Sequence, residues 1–577
     1  MATAPETDNR LNLLLADADE GRPVLGDGLP DETTRRGKKP KKAQGGDDTH
    51  DWRQTDADPN DLQKQRWAVI APEGAQGSKM LDAIQELVQL REAEQGAPVE
   101  RYRMPPGLDA VQAKDWLIEE CWKESKATIE QPLYLLLLGD LHQISAESQH
   151  ALANEALVGR IHFADPDGKT DLRGYAAYAE KVARFAREGT PDSSPDMLFF
   201  VADDGTSATR AGEVKLIDPS LAAAQEGRAN SQFHAADVRK LSAETADDLL
   251  SAGDGARPSV LLSVSHGLGP PRRGFASEEE QQRRQGALVF GRGEMLEAEQ
   301  MKGQRFLPGG LWFYLACFGA GTPGTSAYHA WLLDLAKENA FGGDVEAVLR
   351  SLPGPDQRPF VAALPQAALA NPHGPLAVVG HLDLAWTYSF TGAKNRAESR
   401  KSRIFSALEV MVRGSRAGVA LNKLLETYRE TNDRLLQIHQ RAKDARAAGQ
   451  PDPTDPLEWG HLWMQRNDLR GYVLLGDPAV RLPLSQFALR RPAPPSVPEV
   501  RTARASPQAP HSASAAPPDP AAEPVQVRPS VKAEAVEALW QGDESPRDIA
   551  ARAGVSVKEL WAWFDAYRAG GRARLED

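Results

Sequence analysis

The feature that most constrains this chain is a series of short apolar runs that stop abruptly at small or polar residues. PLYLLLLGD (132–140), MLFFVADDG (197–205), SVLLSVSHG (259–267), GLWFYLACFG (310–319) and PLAVVGH (375–381) show little alternation of apolar and polar positions. A strand with one face in water alternates, so these runs need cover on both faces, and parallel sheets are the ones covered that way. Helical periods separate the runs. SKMLDAIQELVQLREAEQG (78–96) is apolar at 80, 81, 84, 87, 88 and 90 and closes on Gly. Segments 110–125, 173–189 and 404–449 are likewise helical in spacing. With WAVIAPE (67–73), VERYRM (99–104) and a closing YVLLGDPAVRLP (472–483), the order predicts an α/β fold. Two adjacent doubly wound parallel-sheet subdomains are expected, over 65–170 and 171–485. Functional groups of such sheets gather at the carboxyl ends of the strands.

The flanks read differently. Residues 1–64 are charged and predict a disordered leader, with RRGKKPKK (35–42) as a solvated run between acidic stretches. Residues 486–530 are a Pro/Ala-rich linker. Residues 531–577 predict a small all-α helix-turn-helix module, with Ser545-Pro546 opening one helix and a Gly-Val-Ser turn before the next. Two cysteines in 577 residues exclude a disulfide scaffold, a Cys-rich zinc module and a cysteine-held iron–sulfur cluster. A formal charge of −13 argues against a chain-wide nucleic-acid surface. No apolar stretch is long enough for a membrane span, and the start lacks a basic segment with an apolar core, so a cytoplasmic location is expected.

Two strand ends carry reactive groups. His266 and Gly267 follow one apolar run and Cys317 ends the next. Neighbouring strands lie about 4.8 Å apart, so residues at adjacent ends can share a cleft. A thiol beside an imidazole is a nucleophile–base pair. Gly267 leaves its N–H open to a substrate carbonyl, and with the N–H of Cys317 it would form an oxyanion site. The tail Gly319-Ala320-Gly321-Thr322-Pro323-Gly324 leaves room for a substrate backbone.

The strand–His–Gly and strand–Ala–Cys order resembles the caspase-like cysteine peptidases, and the wider order is most similar to the gingipain-type family. The residues that carry this are LLLLGDLHQIS (135–145), ALVGRIHF (156–163), VADDGTS (201–207), AVVGHLDLAWTYSF (377–390) and VLLGDPAVRL (473–482), over about 420 residues. The resemblance implies Cys317 as nucleophile, His266 as base, and Asp204, or its neighbour Asp203, as the acid that orients the histidine. It implies Trp386 as a wall of the pocket for the residue before the scissile bond. Where arginine-specific members carry an acid, this chain has Thr209 and Arg210; Asp383 is another acid that could meet a basic substrate, whereas Arg210 would favour an acidic one. The activity implied is that of an endopeptidase of regulated proteolysis, signalling or defence, acting on polypeptides; it is expected to be intracellular, unlike the secreted members, whose signal and export segments this chain lacks, and no cofactor or metal site is read from the sequence, although family members can bind structural calcium.

Other signals are set aside. No G-x-S-x-G stands in a strand–turn–helix setting and no HExxH occurs; GRGEML (291–296) lacks the third glycine of a dinucleotide loop. Cys121, beside Trp122, reads as a packed core thiol. The C-terminal module resembles those of transposase-type regulators, yet residues 531–577 hold seven basic against nine acidic residues. That balance favours a protein partner over nucleic acid. The competing readings are a catalytically silent peptidase-fold scaffold or sensor, and a DNA-binding regulator.

Overall fold

The computed structural model describes residues 10–36, 58–123, 131–353, 357–392, 395, 397–487, 531–532, 535–536, 546–557, 559–560 and 563. The chain divides into two compact units, Met1–Pro492 and Ala493–Asp577. The first is mixed α/β around one ten-stranded sheet. In chain order its strands are β1 (Trp67–Pro72), β2 (Glu100–Met104), β3 (Tyr134–Leu138), β4 (Leu157–Ile161), β5 (Asp196–Val201), β6 (Asp237–Lys240), β7 (Ser259–Val264), β8 (Leu311–Leu315), β9 (Ala377–His381) and β10 (Tyr472–Gly476). Their order across the sheet is β2-β1-β3-β4-β10-β9-β8-β7-β5-β6. Every residue of β1, β3, β5, β7 and β8 is buried, as runs without alternation require.

The two adjacent stretches expected as subdomains share this one sheet. β10 pairs parallel with β4 and antiparallel with β9, in register Gly380↔Val473, so the closing strand fuses both halves edge to edge. The halves therefore run in opposite directions, and the sheet has two carboxyl-end rims rather than one. Gly139-Asp140, past β3, lies on one rim; His266 and Cys317, past β7 and β8, lie on the other. Two strands carried no apolar run in the sequence. β6 (Asp-Val-Arg-Lys) is a short, polar edge strand, where charge discourages further pairing. β4 is interrupted by Arg160, which is fully buried and bonds Gln149 and the carbonyls of Gly139 and Ile144.

The leader departs from the expectation of disorder. Residues 10–36 are packed, with Leu11, Leu13, Leu14, Leu15, Leu25 and Leu29 all buried. They form a hairpin: Leu11 and Leu29 exchange N–H···O bonds at 2.8 and 2.9 Å, and Val24 donates to the Leu15 carbonyl at 2.9 Å. Thr33 and Thr34 tie its end to the body through the Trp331 indole (2.7 Å) and close packing on Gly460. Each buried leucine stabilises this seat by up to about 1.5–3 kcal/mol. Most of the basic run at 35–42 and of the linker lies outside the described residues.

At the closing strand, Asp477 is fully buried. It accepts from the Trp67 indole (2.8 Å), Arg91 (2.6 and 2.8 Å) and the Ala479 N–H (2.9 Å). Arg91 also bonds Glu94, which Arg416 meets at 3.3 Å. On the rim away from Cys317, buried His162 stands 3.7 Å from Asp140. Burial pushes this imidazole down to about 4 against the pull of Asp140, and Arg160 and Arg358 add to the lowering. Its folded-state value lies below the unfolded one, near 6.5. Its contribution to stability is therefore complete above about pH 6.5 and is lost as the pH falls toward 4. His162→Gln is expected to remove about 1.4 kcal/mol per pH unit from the acid-side slope between pH 6 and 5, read from urea unfolding midpoints.

In the C-terminal unit, a helix spans Pro546–Ala553 and ends at left-handed Gly554 (φ 70°). Ser556 and Glu559 then exchange side-chain-to-backbone bonds in the manner of a capping box. Ala535, Ile549, Ala550 and Leu560 form a small core. Most of the segment predicted as the second helix lies outside the described residues.

Candidate active site

β7 and β8 pair in parallel, with Leu315 opposite Val264, so the chain leaves both strands at one rim. His266 begins a short strand (His266–Leu268) of a second, four-stranded sheet. That strand pairs antiparallel with Leu288–Gly291 and parallel with Leu15–Ala16 of the leader. Gly267 presses against the cysteine: a Cβ there would stand 1.8 Å from the Cys317 carbonyl oxygen. No other residue fits that approach.

The N–H groups of Gly267 and Cys317 converge on one acceptor, the Leu14 carbonyl, at 2.9 and 3.1 Å. The Cys317 sulfur receives the Ala385 N–H at 3.2 Å and lies 3.6 Å from the Ala385 carbonyl. Burial pushes the thiol well above its ordinary range, and the carboxylates of Asp383 and Asp468 push the same way. Phe318, next in the chain, takes φ 56° and donates to the carbonyl of Asp383, itself at φ 84°. Two non-glycine residues held in the left-handed region beside a thiol are a costly arrangement.

The histidine is backed on one nitrogen only. His266 Nε2 lies 3.0 Å from the Thr206 hydroxyl and 3.3 Å from Asp204 Oδ2, the latter at ion-pair distance but off the hydrogen-bond line. Thr206 and Thr209 hydroxyls donate to Asp204 Oδ1 at 2.8 and 2.7 Å. With Thr206 committed to Asp204, the Nε2–H donates to Thr206. Nδ1 is buried and has no partner. Burial would raise the Asp204 carboxyl, but His266 and the two hydroxyls hold it well below the usual carboxylate range.

The structure thus sets Gly267 against Cys317 and Asp204 against His266, while no hydrogen bond joins the Cys317 sulfur to the imidazole among the described residues. Asp203 is exposed and caps the Gly205 N–H. Arg210 is exposed on the helix Ser207–Gly212, and Thr209 is spent on Asp204. Asp383 is buried, its oxygens taken by the N–H groups of Leu384 (2.8 Å) and Ala327 (3.0 Å). Burial lifts its carboxyl to about 7, with Ser326 opposing. Trp386 is buried against Tyr328 and Trp331, and its backbone forms an antiparallel bridge with Leu13. Sequence reasoning missed Thr206, Ala385 and Asp468, whose carboxylate holds the N–H groups of Trp386 and Ser389 at 2.7 Å each. Among the described residues no group of three or more His, Cys, Asp or Glu could hold a metal ion, and no helix is long and apolar enough to cross a membrane.

No family model matches the chain, and no curated protein matches it. Among solved structures it is similar to the Arg-specific cysteine proteinase gingipain R, at 14% identity and TM-score 0.41, covering 73% of this chain and 78% of that one. It is also similar to the complex of Porphyromonas gingivalis RgpB pro- and mature domains, at 12% identity and TM-score 0.39, over 72% and 79%. The Saccharomyces cerevisiae separase–securin complex follows at 10% identity and TM-score 0.27, over 61% of this chain and 16% of that one. Likeness this distant leaves the chemistry to be read from the site itself.

Proposed function

We propose that the chain is a cysteine endopeptidase. The observation that carries this reading is the convergence of two backbone donors, from Gly267 and Cys317, on a single peptide carbonyl beside the Cys317 thiol. Hydrolysis of a peptide bond needs a nucleophile, a proton carrier and a place for the negative oxygen. Cys317 supplies the first, and His266 the second through its unpaired Nδ1. Thr206 and Asp204 are positioning residues: they fix the imidazole tautomer and favour the imidazolium that forms. The sulfur attacks the carbonyl carbon, and the oxygen gains charge between the two N–H groups. His266 then protonates the leaving amine, and water releases the acyl group.

A leader whose Leu14 carbonyl takes the Gly267 and Cys317 N–H groups suits an enzyme released on demand, which supports a role in regulated proteolysis. The C-terminal module, with its acidic balance, is proposed to engage a protein partner rather than nucleic acid. The test is a positional peptide-library digest with graded alkylation mapped by mass. Cleavage is expected to fall in proportion to modification of Cys317 and to be indifferent to modification of Cys121. Cleavage that persists after complete alkylation of Cys317 would exclude the proposed chemistry.

A further inference from the structure

We infer that residues 10–36 occupy the cleft as the enzyme's first substrate, that Leu14 marks a pocket selecting an aliphatic residue before the scissile bond, and that the chain cuts itself between Leu14 and Leu15. This rests on the peptidase reading and goes beyond it in naming the bond and the substrate class.

Both sides of that bond are held through main chain. On the acyl side, the Leu14 N–H donates to the Ala385 carbonyl at 3.2 Å and Leu13 bridges antiparallel to Trp386. On the amine side, Leu15–Ala16 pair parallel with Gly267–Leu268, and Gly269 donates to the Ala16 carbonyl at 2.6 Å. Strand addition of this kind supplies grip through the backbone and leaves selection to the side-chain pocket. Between the two flanks, the Leu14 carbonyl takes both donors that the reaction requires. No other carbonyl of the leader is bonded to Cys317 or Gly267 among the described residues.

The pocket's preference follows from its occupant. The Leu14 side chain is fully buried, at 0% exposure. None of the polar candidates offers a charge to a basic or acidic side chain: Asp383 has both oxygens on backbone N–H groups, Thr209 bonds Asp204, and Arg210 faces solvent. Burying a lysine or arginine there would leave an unpaired charge, the costliest outcome of desolvation. The hairpin also keeps the leader tethered, so it outcompetes free peptides until it is cut or displaced.

The step balances without an external reagent other than water. The thiol proton passes to His266 Nδ1, a Sγ–C bond forms at the Leu14 carbonyl carbon, and the C–N bond to Leu15 breaks. The proton moves to the Leu15 nitrogen, giving a new amino terminus. Water then cleaves the thioester to a Leu14 carboxylate and a free thiol. With the leader seated, Cys317 is completely buried, which disfavours the thiolate and makes the first turnover slow.

Full-length wild type, Cys317→Ala, Leu14→Met and Leu14→Arg would be followed by intact mass in reducing buffer, beside free peptides carrying Leu, Ala, Arg or Asp before the bond. Wild type and Leu14→Met are expected to yield a fragment beginning at Leu15, and Cys317→Ala none. Leu14→Arg is expected to cut at least roughly 10-fold more slowly, with the same preference for Leu over Arg among the peptides. Cleavage of free peptides with no Leu15 terminus, or with Arg preferred, overturns this inference and leaves the peptidase reading standing. Silence of every variant toward every peptide, with all four soluble and folded by circular dichroism, overturns both.

Discussion

Peptide hydrolysis is expected to vanish in Cys317→Ala and to fall by at least about 10²-fold in Gly267→Ala, for separable reasons. Cys317→Ala removes the nucleophile but keeps its backbone N–H, so a bound carbonyl still finds both donors. Its leader should stay seated and its unfolding midpoint should hold. Gly267→Ala leaves the thiol in place, yet the added Cβ meets the Cys317 carbonyl oxygen at 1.8 Å and its carbonyl carbon at 2.8 Å. Those atoms are backbone, so the His266–Leu268 strand must move away. The Gly267 N–H then leaves its 2.9 Å contact with the acceptor. Loss of one such donor alone costs about 10²–10³ in kcat. Shifting the strand also displaces Leu15–Ala16, which pair with it. Hydrogen exchange at the Leu14 to Ala16 amides should therefore quicken in Gly267→Ala and not in Cys317→Ala. If Gly267→Ala kept full activity, the backbone N–H of Gly267 would have no part in the chemistry.

Much of this site was legible because strand ends announce themselves. Runs such as SVLLSVSHG and GLWFYLACFG stop where the chain leaves the sheet, so His266, Gly267 and Cys317 could be placed on one rim before any coordinates. Asp204, with Asp203 as its alternative, came from the family resemblance, but the hydroxyl of Thr206 between Asp204 and His266 did not, since a threonine at a helix start reads only as a cap. Ala385 and Leu14 act through main chain, which leaves no residue-type signature. The leader was misread for a related reason. Its leucines at 11 and 13–15 lie in an acidic flank, and the strand that pairs with Leu15–Ala16 begins at His266, far along the chain. Local composition reports solvation, whereas the partner that buries a segment can be remote in sequence. β10 escaped full reading too: its apolar run fixed a strand, but nothing local told which half it would join or in which direction.

That junction carries the largest expected effect on stability. Asp477→Ala is expected to destabilise the unit Met1–Pro492 by about 3–5 kcal/mol, because it strands a guanidinium rather than merely removing a bond. Arg91 is 2% exposed and spends its Nε and one terminal nitrogen on Asp477. Burial works against the charged guanidinium, and Asp477 and then Glu94 raise its pKa well above the usual range; without Asp477 only Glu94 would remain to offset the desolvation. The same carboxylate holds the Trp67 indole at the start of β1 and the Ala479 N–H after β10. Three pieces of chain, two from the first half of the sheet and one past the closing strand, thus lose one shared anchor. The cost is electrostatic, so Arg91→Met in the Asp477→Ala background should recover part of it, although either change alone is harmful. Urea unfolding of the four chains would measure the coupling. Equal, additive losses would mean that Arg91 finds water or another partner once Asp477 is gone. A double variant more stable than Asp477→Ala would show that the fusion of the two half-sheets rests on a charge kept from solvent by its mate.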